Sequence, residues 1–441
     1  MELAALGDIP RVVAGGNFAT PWRALAVLDG SVARYRLFAL NAQAGMPDRE
    51  GVTLESPFVG PGMRGRGRLR YFPCRLSLVP ALLASALPPD VVLVQTSVPS
   101  HGTVSLGMEV NVLPAAIEAV RARGGLVIAQ LNPRVPYTYG DAELPCDVID
   151  YAIEAEAPLP SPAERLAPES SAVIGDRVAA LIGDGATLQV GIGAVPDAVL
   201  AGLHGRRGLT VWSEMFSDGV LGLAKAGALD PGQPVTASFA FGSPDLYAWM
   251  DCNPDVRMLR TETVNDPAII ARRPRMASVN SALQVDLLAQ ANATWVAGRV
   301  HSGFGGQTDF VVGALHSPGG QAIIALPSWH PKADVSTVVP RLDGPVTSFQ
   351  HSYIVSEQGT ATIWGHDASG QAEQIIAHVA HPSVRQQLRE AGPARPASLG
   401  SLPSRSGCGG RRDRDPPFQY RSRSRSSGFG LAQPQPGAEP R

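Results

Sequence analysis

The strongest chemical candidates in this sequence are a glycine-rich turn and one carboxylate a short way beyond it. The turn consists of Gly191, Ile192, Gly193, Ala194 and Val195. Glycine lets a ligand come close to the backbone, and the N-terminus of a helix offers free N–H groups to an anion. The carboxylate is Glu214, in the segment SEMFSDG. Together these residues suggest a phosphate-binding loop with one carboxylate beside it.

Strands and helices around these residues would bring both to one edge of a sheet. An apolar strand ends at Val190, and Pro196 fits the first position of a helix, where its missing N–H is not needed. A second strand, 209–212, is expected to end just before Ser213 and Glu214. Ligands of open α/β sheets bind at the carboxyl ends of the strands, so the loop and the carboxylate are expected in one site.

Two other interpretations fit the same residues. The loop could be an ordinary tight turn, and Glu214 could be an acid that caps a helix. A nucleotide-dependent oxidoreductase is disfavoured, because the dinucleotide pattern requires glycine at the sixth position of the turn, where Pro196 stands. His101, in a turn rich in Gly and Ser, is interpreted as a loop residue.

Apolar strands alternate with helical segments along most of the chain, which predicts an α/β fold with parallel sheets. The range 154–169 contains four prolines and is typical of an extended linker. We therefore predict an α/β domain over 1–157, a linker over 158–170 and a second α/β domain, carrying Glu214, over 171–393. Residues 394–441 form a separate tail.

Composition excludes several classes of protein. The chain has 441 residues, of which 44% are hydrophobic and 17% charged, and no apolar run is long enough to span a membrane. No secretory signal is evident, and Cys74, Cys146, Cys252 and Cys408 lack metal-binding spacing. We expect a cytoplasmic protein with free thiols, no metal and no membrane association.

The tail differs from the rest of the chain. It holds nine arginines and three acidic residues, which leaves the preceding chain with a net charge of about −8. It has no apolar periodicity and is predicted to be disordered. The run RSRSRSS could bind the phosphates of a nucleic acid, but a sequence of this composition also arises from a reading-frame shift in a GC-rich gene. With an acidic body, nucleic-acid binding is not expected.

Seven segments together resemble the acetyl-CoA hydrolase/transferase family, most closely its 4-hydroxybutyrate CoA-transferase branch. They are LIGDGATLQVGIGAVPDAVL (181–200), SEMFSDGV (213–220), VNDPAIIA (264–271), NSALQVDL (280–287), SGFGGQTDFV (302–311), SPGGQAIIALPS (317–328) and VSEQGTA (355–361). NFATP (17–21) and NPRVPYTYGD (132–141) extend the likeness towards the N-terminus. The sequence departs from the family pattern at Ala289, after Glu357 and before Lys332.

The resemblance implies two open α/β domains of the CoA-transferase type, with the active site in the cleft between them. It implies that Glu214 is the nucleophile, with Asn265 and Glu357 as polar residues near it. The residues that match the family's contacts with coenzyme A are the loop Gly191–Val195, Ser302, Gly306 and Lys332.

The implied reaction moves coenzyme A between a short-chain acyl-CoA and a carboxylic acid such as acetate or 4-hydroxybutyrate, through a glutamyl-CoA thioester. Acetyl-CoA and acetate metabolism would be its setting. Hydrolysis of acyl-CoA by the same glutamate is the alternative, and the sequence does not separate the two. Coenzyme A is a substrate here and no cofactor is expected. We also expect a homodimer.

Overall fold

The protein is described as a computed structural model that covers residues 9–163, 167–344, 346 and 350–392. The predicted tail, 394–441, lies outside these residues. Strands and helices alternate along much of the chain, as the sequence predicts, but among these residues the strands within 276–300 and those within 321–362 follow one another without a helix between them.

The first part of the chain contains ten strands and three helices among the residues described. The strands are β1 (Arg11–Ala14), β2 (Tyr35–Phe38), β3 (Val52–Ser56), β4 (Leu69–Tyr71), β5 (Val91–Thr96), β6 (Thr103–Ser105), β7 (Leu126–Leu131), β8 (Tyr139–Gly140), β9 (Glu143–Pro145) and β10 (Tyr151–Glu154). The helices are α1 (Trp22–Ser31), α2 (Val79–Ala84) and α3 (Leu113–Arg121). Short 3-10 helices cover Leu76–Leu78 and Cys146–Val148.

The second part of the chain continues the alternation. Its strands are β11 (Thr187–Val190), β12 (Thr210–Phe216), β13 (Val235–Ala240), β14 (Val256–Met258), β15 (Met276–Ser281), β16 (Gln284–Asp286), β17 (Ala291–Asn292), β18 (Trp295–Val296), β19 (Arg299–Val300), β20 (Gln321–Ala325), β21 (Trp329–His330), β22 (Val335–Ser336), β23 (Val338–Val339), β24 (Tyr353–Ser356) and β25 (Gly359–Thr362). Its helices are α4 (Glu169–Leu181), α5 (Ala194–Gly202), α6 (Asp218–Lys225), α7 (Pro244–Met250), α8 (Thr261–Val264), α9 (Pro267–Ile270), α10 (Gln307–His316), α11 (Ala368–His378) and α12 (Arg385–Ala391), with a 3-10 helix at Pro382–Val384.

Two large sheets share one strand order. The first sheet runs β10-β7-β5-β1-β2-β3-β4 and is parallel throughout. The second runs β25-β24-β20-β15-β11-β12-β13-β14-β8, parallel except for the antiparallel hairpin β24–β25. In each sheet the first strand, β1 or β11, is central. The next three strands lie on one side of it and the later strands on the other. The loops that follow β1 and β11 therefore occupy topological switch points, where open α/β sheets bind ligands.

The central strands are buried along their whole length, as expected for parallel sheets that are covered on both faces. All six residues of β5, VVLVQT, are buried, as are all six of β13, VTASFA. Strands that are buried along their whole length suit a parallel sheet with helices on both sides. The helix α3 begins with Leu113 and Pro114 and buries Ile117 and Val120 on the face that meets the sheet.

One continuous apolar cluster contains residues of both sheets. It extends from Val13 in β1 to Val355 in β24. The pairing of β8 with β14 brings a strand from the first part of the chain to the edge of the second sheet. The division at 157 and 171 that the sequence suggests remains a prediction. The range 155–163 contains no helix or strand.

Candidate active site

Glu214 lies in the interior of strand β12. From the sequence this strand was expected to end before Ser213, but it continues to Phe216, so that prediction was wrong. The ladder between β11 and β12 stops at Leu188 and Val211. The two strands are therefore unpaired beside Glu214. Protein atoms surround the carboxylate of Glu214, although the residue as a whole keeps a small exposed fraction.

Asn265 and Gly306 enclose the Glu214 carboxylate. Nδ2 of Asn265 donates a hydrogen bond to Oε2 of Glu214 at 3.3 Å, and Asn265 is fully buried. The backbone N–H of Gly306 donates a second hydrogen bond to the same carboxylate. A Cβ atom placed on Gly306 would lie 1.8 Å from Oε2 of Glu214 and 2.2 Å from Nδ2 of Asn265. Only glycine fits at this position.

The surroundings of Glu214 make its carboxylate unusually basic. Burial is the largest cause and raises its pKa to about 7, opposed by the Asn265 hydrogen bond. The nearby Asp309 carboxylate raises the pKa further, and the Gly306 N–H lowers it. A carboxylate with this pKa is a stronger base, and so a better nucleophile, than an ordinary glutamate, and about half of it is ionised near pH 7.

A second buried acid, Asp309, adjoins Glu214. It belongs to the first turn of α10, which begins just after Gly306. Its carboxylate accepts hydrogen bonds from the backbone N of Ser77 at 3.1 Å and from Oγ of Ser77 at 2.8 Å. Neither residue was predicted to belong to the site. Asp309 lies in SGFGGQTDFV, which indicates only the family resemblance, and nothing near Ser77 in the sequence indicates a contact 232 positions along the chain.

The first part of the chain packs directly on the glycine-rich loop 302–306. The backbone N of Val59 donates to the carbonyl of Ser302 at 2.8 Å, and that of Leu76 donates to the carbonyl of Gly305 at 3.0 Å. Phe58 forms a β-bridge with Gly303. These contacts fix the loop that carries Gly306. The candidate site is thus built from residues on both sides of the predicted linker.

The loop Gly191–Val195 lies at the switch point after β11. Its helix, α5, begins at Ala194 and not at Pro196, which corrects the prediction, and Gly193 is the N-cap with a φ of 119°. A Cβ atom on Gly191 or on Gly193 would meet no other atom within 4 Å. The side chain of Ile192 is 42% exposed. The loop backbone is therefore open to a ligand.

The three other predicted site residues, Ser302, Lys332 and Glu357, make no hydrogen bond with the Glu214 carboxylate in the described structure. Oγ of Ser302 donates to the carbonyl of Ala293 at 2.7 Å. Lys332 is exposed in the turn that joins β21 to β22. Glu357 accepts hydrogen bonds from the backbone N of Ser328 at 2.9 Å and from the Ser328 hydroxyl.

Glu357 lies apart from the enclosure around Glu214. It follows β24, which is four strand positions from β12 in the sheet, or roughly 19 Å at the usual strand spacing. Burial would raise the pKa of Glu357, but the hydrogen bonds from Ser328 outweigh it and hold the pKa below its usual value. A carboxylate stabilised in this way is a weak nucleophile.

Among the described residues, no group of three or more His, Cys, Asp or Glu side chains could hold a metal ion. No helix in the described ranges is long and apolar enough to cross a membrane.

Comparison with known proteins decides the family. The N-terminal and C-terminal domain models of the acetyl-CoA hydrolase/transferase family match residues 47–160 and 242–392. A 4-hydroxybutyrate coenzyme A transferase of Clostridium kluyveri is 39% identical over 335 residues, which cover 73% of this chain and 77% of that protein. The chain belongs to the acetyl-CoA hydrolase/transferase family.

Solved structures agree with this family and with the predicted CoA-transferase type of fold. RipA from Yersinia pestis superposes with a TM-score of 0.81 at 29% identity, over 89% of this chain and 98% of that one. A 4-hydroxybutyrate CoA-transferase of Porphyromonas gingivalis gives 0.74 at 30% identity, over 88% and 94%. An acetyl-CoA hydrolase of Eremothecium gossypii is 31% identical over 209 residues, 45% of this chain and 39% of that protein. The family thus contains both transferases and hydrolases.

Proposed function

We propose that this protein is a CoA-transferase that moves coenzyme A between a short-chain acyl-CoA and a carboxylic acid, with Glu214 as the nucleophile. The observation that carries the proposal is the enclosure of a basic carboxylate by two N–H donors, from Asn265 and Gly306. Acetate, 4-hydroxybutyrate and similar acids are the proposed acceptors. The transferases among its relatives support this choice.

The first half of the reaction transfers coenzyme A to the enzyme. An oxygen of the Glu214 carboxylate attacks the thioester carbonyl, the C–S bond breaks, and an acyl-glutamyl anhydride and CoA thiolate result. The thiolate then attacks the glutamyl carbonyl and releases the acyl group as a free carboxylate. This leaves a glutamyl-CoA thioester, an intermediate of covalent catalysis.

The second half runs the same steps in reverse with a different acid. The acceptor carboxylate attacks the glutamyl thioester, which gives a new anhydride and CoA thiolate. Attack of the thiolate on the acyl carbonyl forms the new acyl-CoA and restores the Glu214 carboxylate. One thioester is exchanged for another, so neither ATP nor a metal is needed to balance the reaction.

Asn265 and Gly306 have a specific part in the step that forms the glutamyl thioester. When the thiolate attacks the glutamyl carbonyl, negative charge develops on an oxygen of Glu214 itself. The hydrogen bonds from Nδ2 of Asn265 and from the N–H of Gly306 already point at this carboxylate. Fixed donors of this kind stabilise an oxyanion, and one donor contributes on the order of 3 kcal/mol.

The loop Gly191–Val195 is proposed to bind coenzyme A. It lies at the switch point of the second sheet, and its two glycines leave the backbone accessible. Binding of the remote part of coenzyme A can offset the cost of forming the anhydride. Ser302 and Lys332 are proposed as further contacts of the acyl-CoA, and Glu357 as a polar residue that acts outside the enclosure of Glu214. The expected homodimer also remains a proposal.

Chemical trapping tests the nucleophile. Incubation with acyl-CoA alone should leave a glutamyl-CoA thioester, which borohydride reduces although it does not reduce a carboxylate. Inactivation should therefore require both reagents, and the peptide that contains Glu214 should carry the mass change. Glu357→Gln is the matched control and should still be trapped, whereas Glu214→Gln should not.

Two results would change the assignment. Trapping that persists in Glu214→Gln and disappears in Glu357→Gln would move the nucleophile to Glu357. Release of free coenzyme A at the full rate without an added acid would make the enzyme a hydrolase, with water as the final acceptor in place of a second carboxylate.

A further inference from the structure

Trp212 lies on the same face of β12 as the nucleophile. Side chains two residues apart in a strand point to the same side of the sheet, as those of Trp212 and Glu214 do. Trp212 is 7% exposed, and its ring Nε1–H donates a hydrogen bond to the backbone carbonyl of Val264 at 3.0 Å. Val264 immediately precedes Asn265, which donates to Glu214 at 3.3 Å. The indole therefore connects the strand of the nucleophile to the segment that carries its hydrogen-bond donor.

Helix α8, which ends next to Asn265, depends on contacts of this kind. It has only four residues, Thr261–Val264, and Asn265 is its C-cap, whose backbone N donates to the carbonyl of Thr261 at 2.9 Å. One turn of helix is too short to be stable by itself, so tertiary contacts determine where it lies. The last carbonyls of a helix also lack a partner within the helix. Trp212 supplies this partner for Val264 and so fixes the end of α8 from which Asn265 reaches the carboxylate.

The glycine loop on the other side of the carboxylate belongs to the same packing unit. Trp212 shares a buried apolar cluster with Val264 of α8 and Phe310 of α10. Gly306 is the N-cap of α10, and its carbonyl accepts a hydrogen bond from the backbone N of Phe310 at 3.0 Å. Protein interiors are close-packed, so a side chain cannot move without displacing its neighbours. The position of the indole therefore affects both elements that enclose Glu214.

A cation covers the indole. Cζ of Arg273 lies 3.6 Å from the centre of the Trp212 ring, well within the range of a cation–π contact. Nε of Arg273 is buried and has no hydrogen-bond partner among the described residues. The guanidinium stacks on the ring and restrains its plane, and with it the direction of the indole N–H.

We propose that Trp212, covered by Arg273, is a positioning residue that holds the amide of Asn265 against Glu214 while the glutamyl-CoA thioester forms. This inference rests on the function proposed above. In the step concerned, the thiolate of coenzyme A adds to the glutamyl carbonyl, negative charge develops on the Glu214 oxygen, and the bond to the acyl carboxylate then breaks. A donor stabilises that oxygen only from within hydrogen-bond distance. Loss of the indole N–H should therefore slow this step and leave the affinity for coenzyme A unchanged.

Trp212→Phe tests the proposal, because phenylalanine keeps an aromatic ring in the cluster and has no N–H to donate. The variant is mixed with acyl-CoA alone, quenched rapidly and treated with borohydride. The rate constant of thioester formation should fall by about tenfold, since misplacement by 1 Å can cost about 100-fold. Coenzyme A should raise the melting temperature as much as it does for the parent. A purely structural role would lower the number of sites that are finally trapped and leave the rate constant at those sites unchanged.

Trp249→Phe is the matched control. Trp249 also packs against β12, edge-on to Phe216 with the ring centres 6.4 Å apart. Its indole nitrogen donates to no other residue that the structure describes. The rate constant of thioester formation in this variant should equal that of the parent.

A double-mutant cycle shows whether Trp212 acts through Asn265. Asn265→Ala removes the amide donor, so the further change Trp212→Phe should have little effect on the rate constant in that background. In the parent the same change should cost about tenfold, and such a difference is the mark of two coupled residues. An equal loss in both backgrounds would overturn the proposal, because the effect of Trp212 would then not pass through Asn265.

Arg273→Met provides the decisive measurement if Trp212→Phe does not fold. Methionine removes the charge above the ring, and the rate constant should fall by about twofold or more. A rate constant at the level of the parent in Trp212→Phe, or in Arg273→Met where Trp212→Phe does not fold, would overturn the positioning role alone. A parent that neither exchanges coenzyme A nor forms the trapped thioester would overturn the proposed function, and this inference with it.

Discussion

A Cβ atom on Gly306 would lie 1.8 Å from Oε2 of Glu214, so the loop backbone and the carboxylate are in direct contact. Gly306 has a φ of −94°, which any residue can adopt. Glycine is therefore required here because there is no space for a Cβ atom, and not because of the backbone conformation. The same contact places the Gly306 N–H against the carboxylate.

Gly306→Ala should consequently fold normally but lose most of its activity. The added methyl group must displace Glu214 or Asn265, and we expect CoA exchange to fall by about 100-fold or more, the cost of a misplacement of about 1 Å. Circular dichroism should show a folded protein. Gly205→Ala is the control, because a Cβ atom there meets nothing within 4 Å and Gly205 is not among the glycines with positive φ. Full activity in Gly306→Ala would remove this loop from the site.

The rate of CoA exchange should rise with pH across the neutral range. Glu214 attacks only when ionised, and burial raises its pKa to about 7. The acid limb of kcat/KM should therefore have a midpoint near 7, where an ordinary glutamate would give a midpoint near 4.5. Initial rates between pH 5.5 and 8.5 measure this directly. A flat profile over that range would contradict the assignment of Glu214.

Glu214→Gln should stabilise the protein at high pH while it abolishes exchange. The pKa of Glu214 is raised from 4.5 in the unfolded chain to about 7 in the folded one. As the pH rises from 4.5 to 7, the unfolded state therefore loses its proton first, and the free energy of unfolding falls. At 1.36 kcal/mol for each pKa unit, the loss reaches at most about 3 kcal/mol above pH 7. Glutamine does not titrate and avoids this loss.

Denaturant unfolding at pH 5 and pH 8 measures the effect. The variant should exceed the parent by about 1–3 kcal/mol at pH 8 and by much less at pH 5. Glu390→Gln, at an exposed position of α12, should show no such difference between the two pH values. Equal stability of Glu214→Gln and the parent at pH 8 would mean that burial does not disfavour the ionised carboxylate of Glu214.

Much of the fold could be predicted from the sequence, because buried parallel strands and helix caps have recognisable local sequence patterns. The run LVIAQL is typical of a buried strand, and it forms β7, Leu126–Leu131. Pro244 suits the first position of a helix, and α7 begins there, where Ser243 caps the first turn through a hydrogen bond from the backbone N of Leu246. Local patterns of burial and capping are sufficient for such elements.

The site was only partly predictable, because it depends on contacts between distant segments. The Gly191–Val195 loop and Glu214 could be proposed from local pattern. Asp309 could not, since an acid in the first turn of a helix usually serves the helix itself. The true end of β12 was also missed, because the polar Ser213 and Glu214 interrupt the apolar pattern where the strand carries its functional residue.

The last prediction concerns the proposed coenzyme A loop, and the structure identifies the residue to change. Gly193 is unsuitable, because its φ of 119° would strain any other residue whether or not a ligand binds there. Gly191 is suitable, since it is not among the positive-φ glycines and a Cβ atom there meets nothing within 4 Å. Gly191→Val should therefore fold normally and lose affinity for coenzyme A, because its side chain projects into the space left for the ligand.

Gly183→Val is the matched control at the opposite end of β11, where a Cβ atom is equally free. A ligand that binds only the folded state stabilises it by about 2.7 kcal/mol at 100 times its Kd, so coenzyme A should raise the melting temperature of the parent and of Gly183→Val alike. Gly191→Val should show little or no rise at the same concentration. An undiminished rise in Gly191→Val would mean that coenzyme A binds elsewhere, because a valine side chain at this point of the loop would otherwise occupy the path of the ligand.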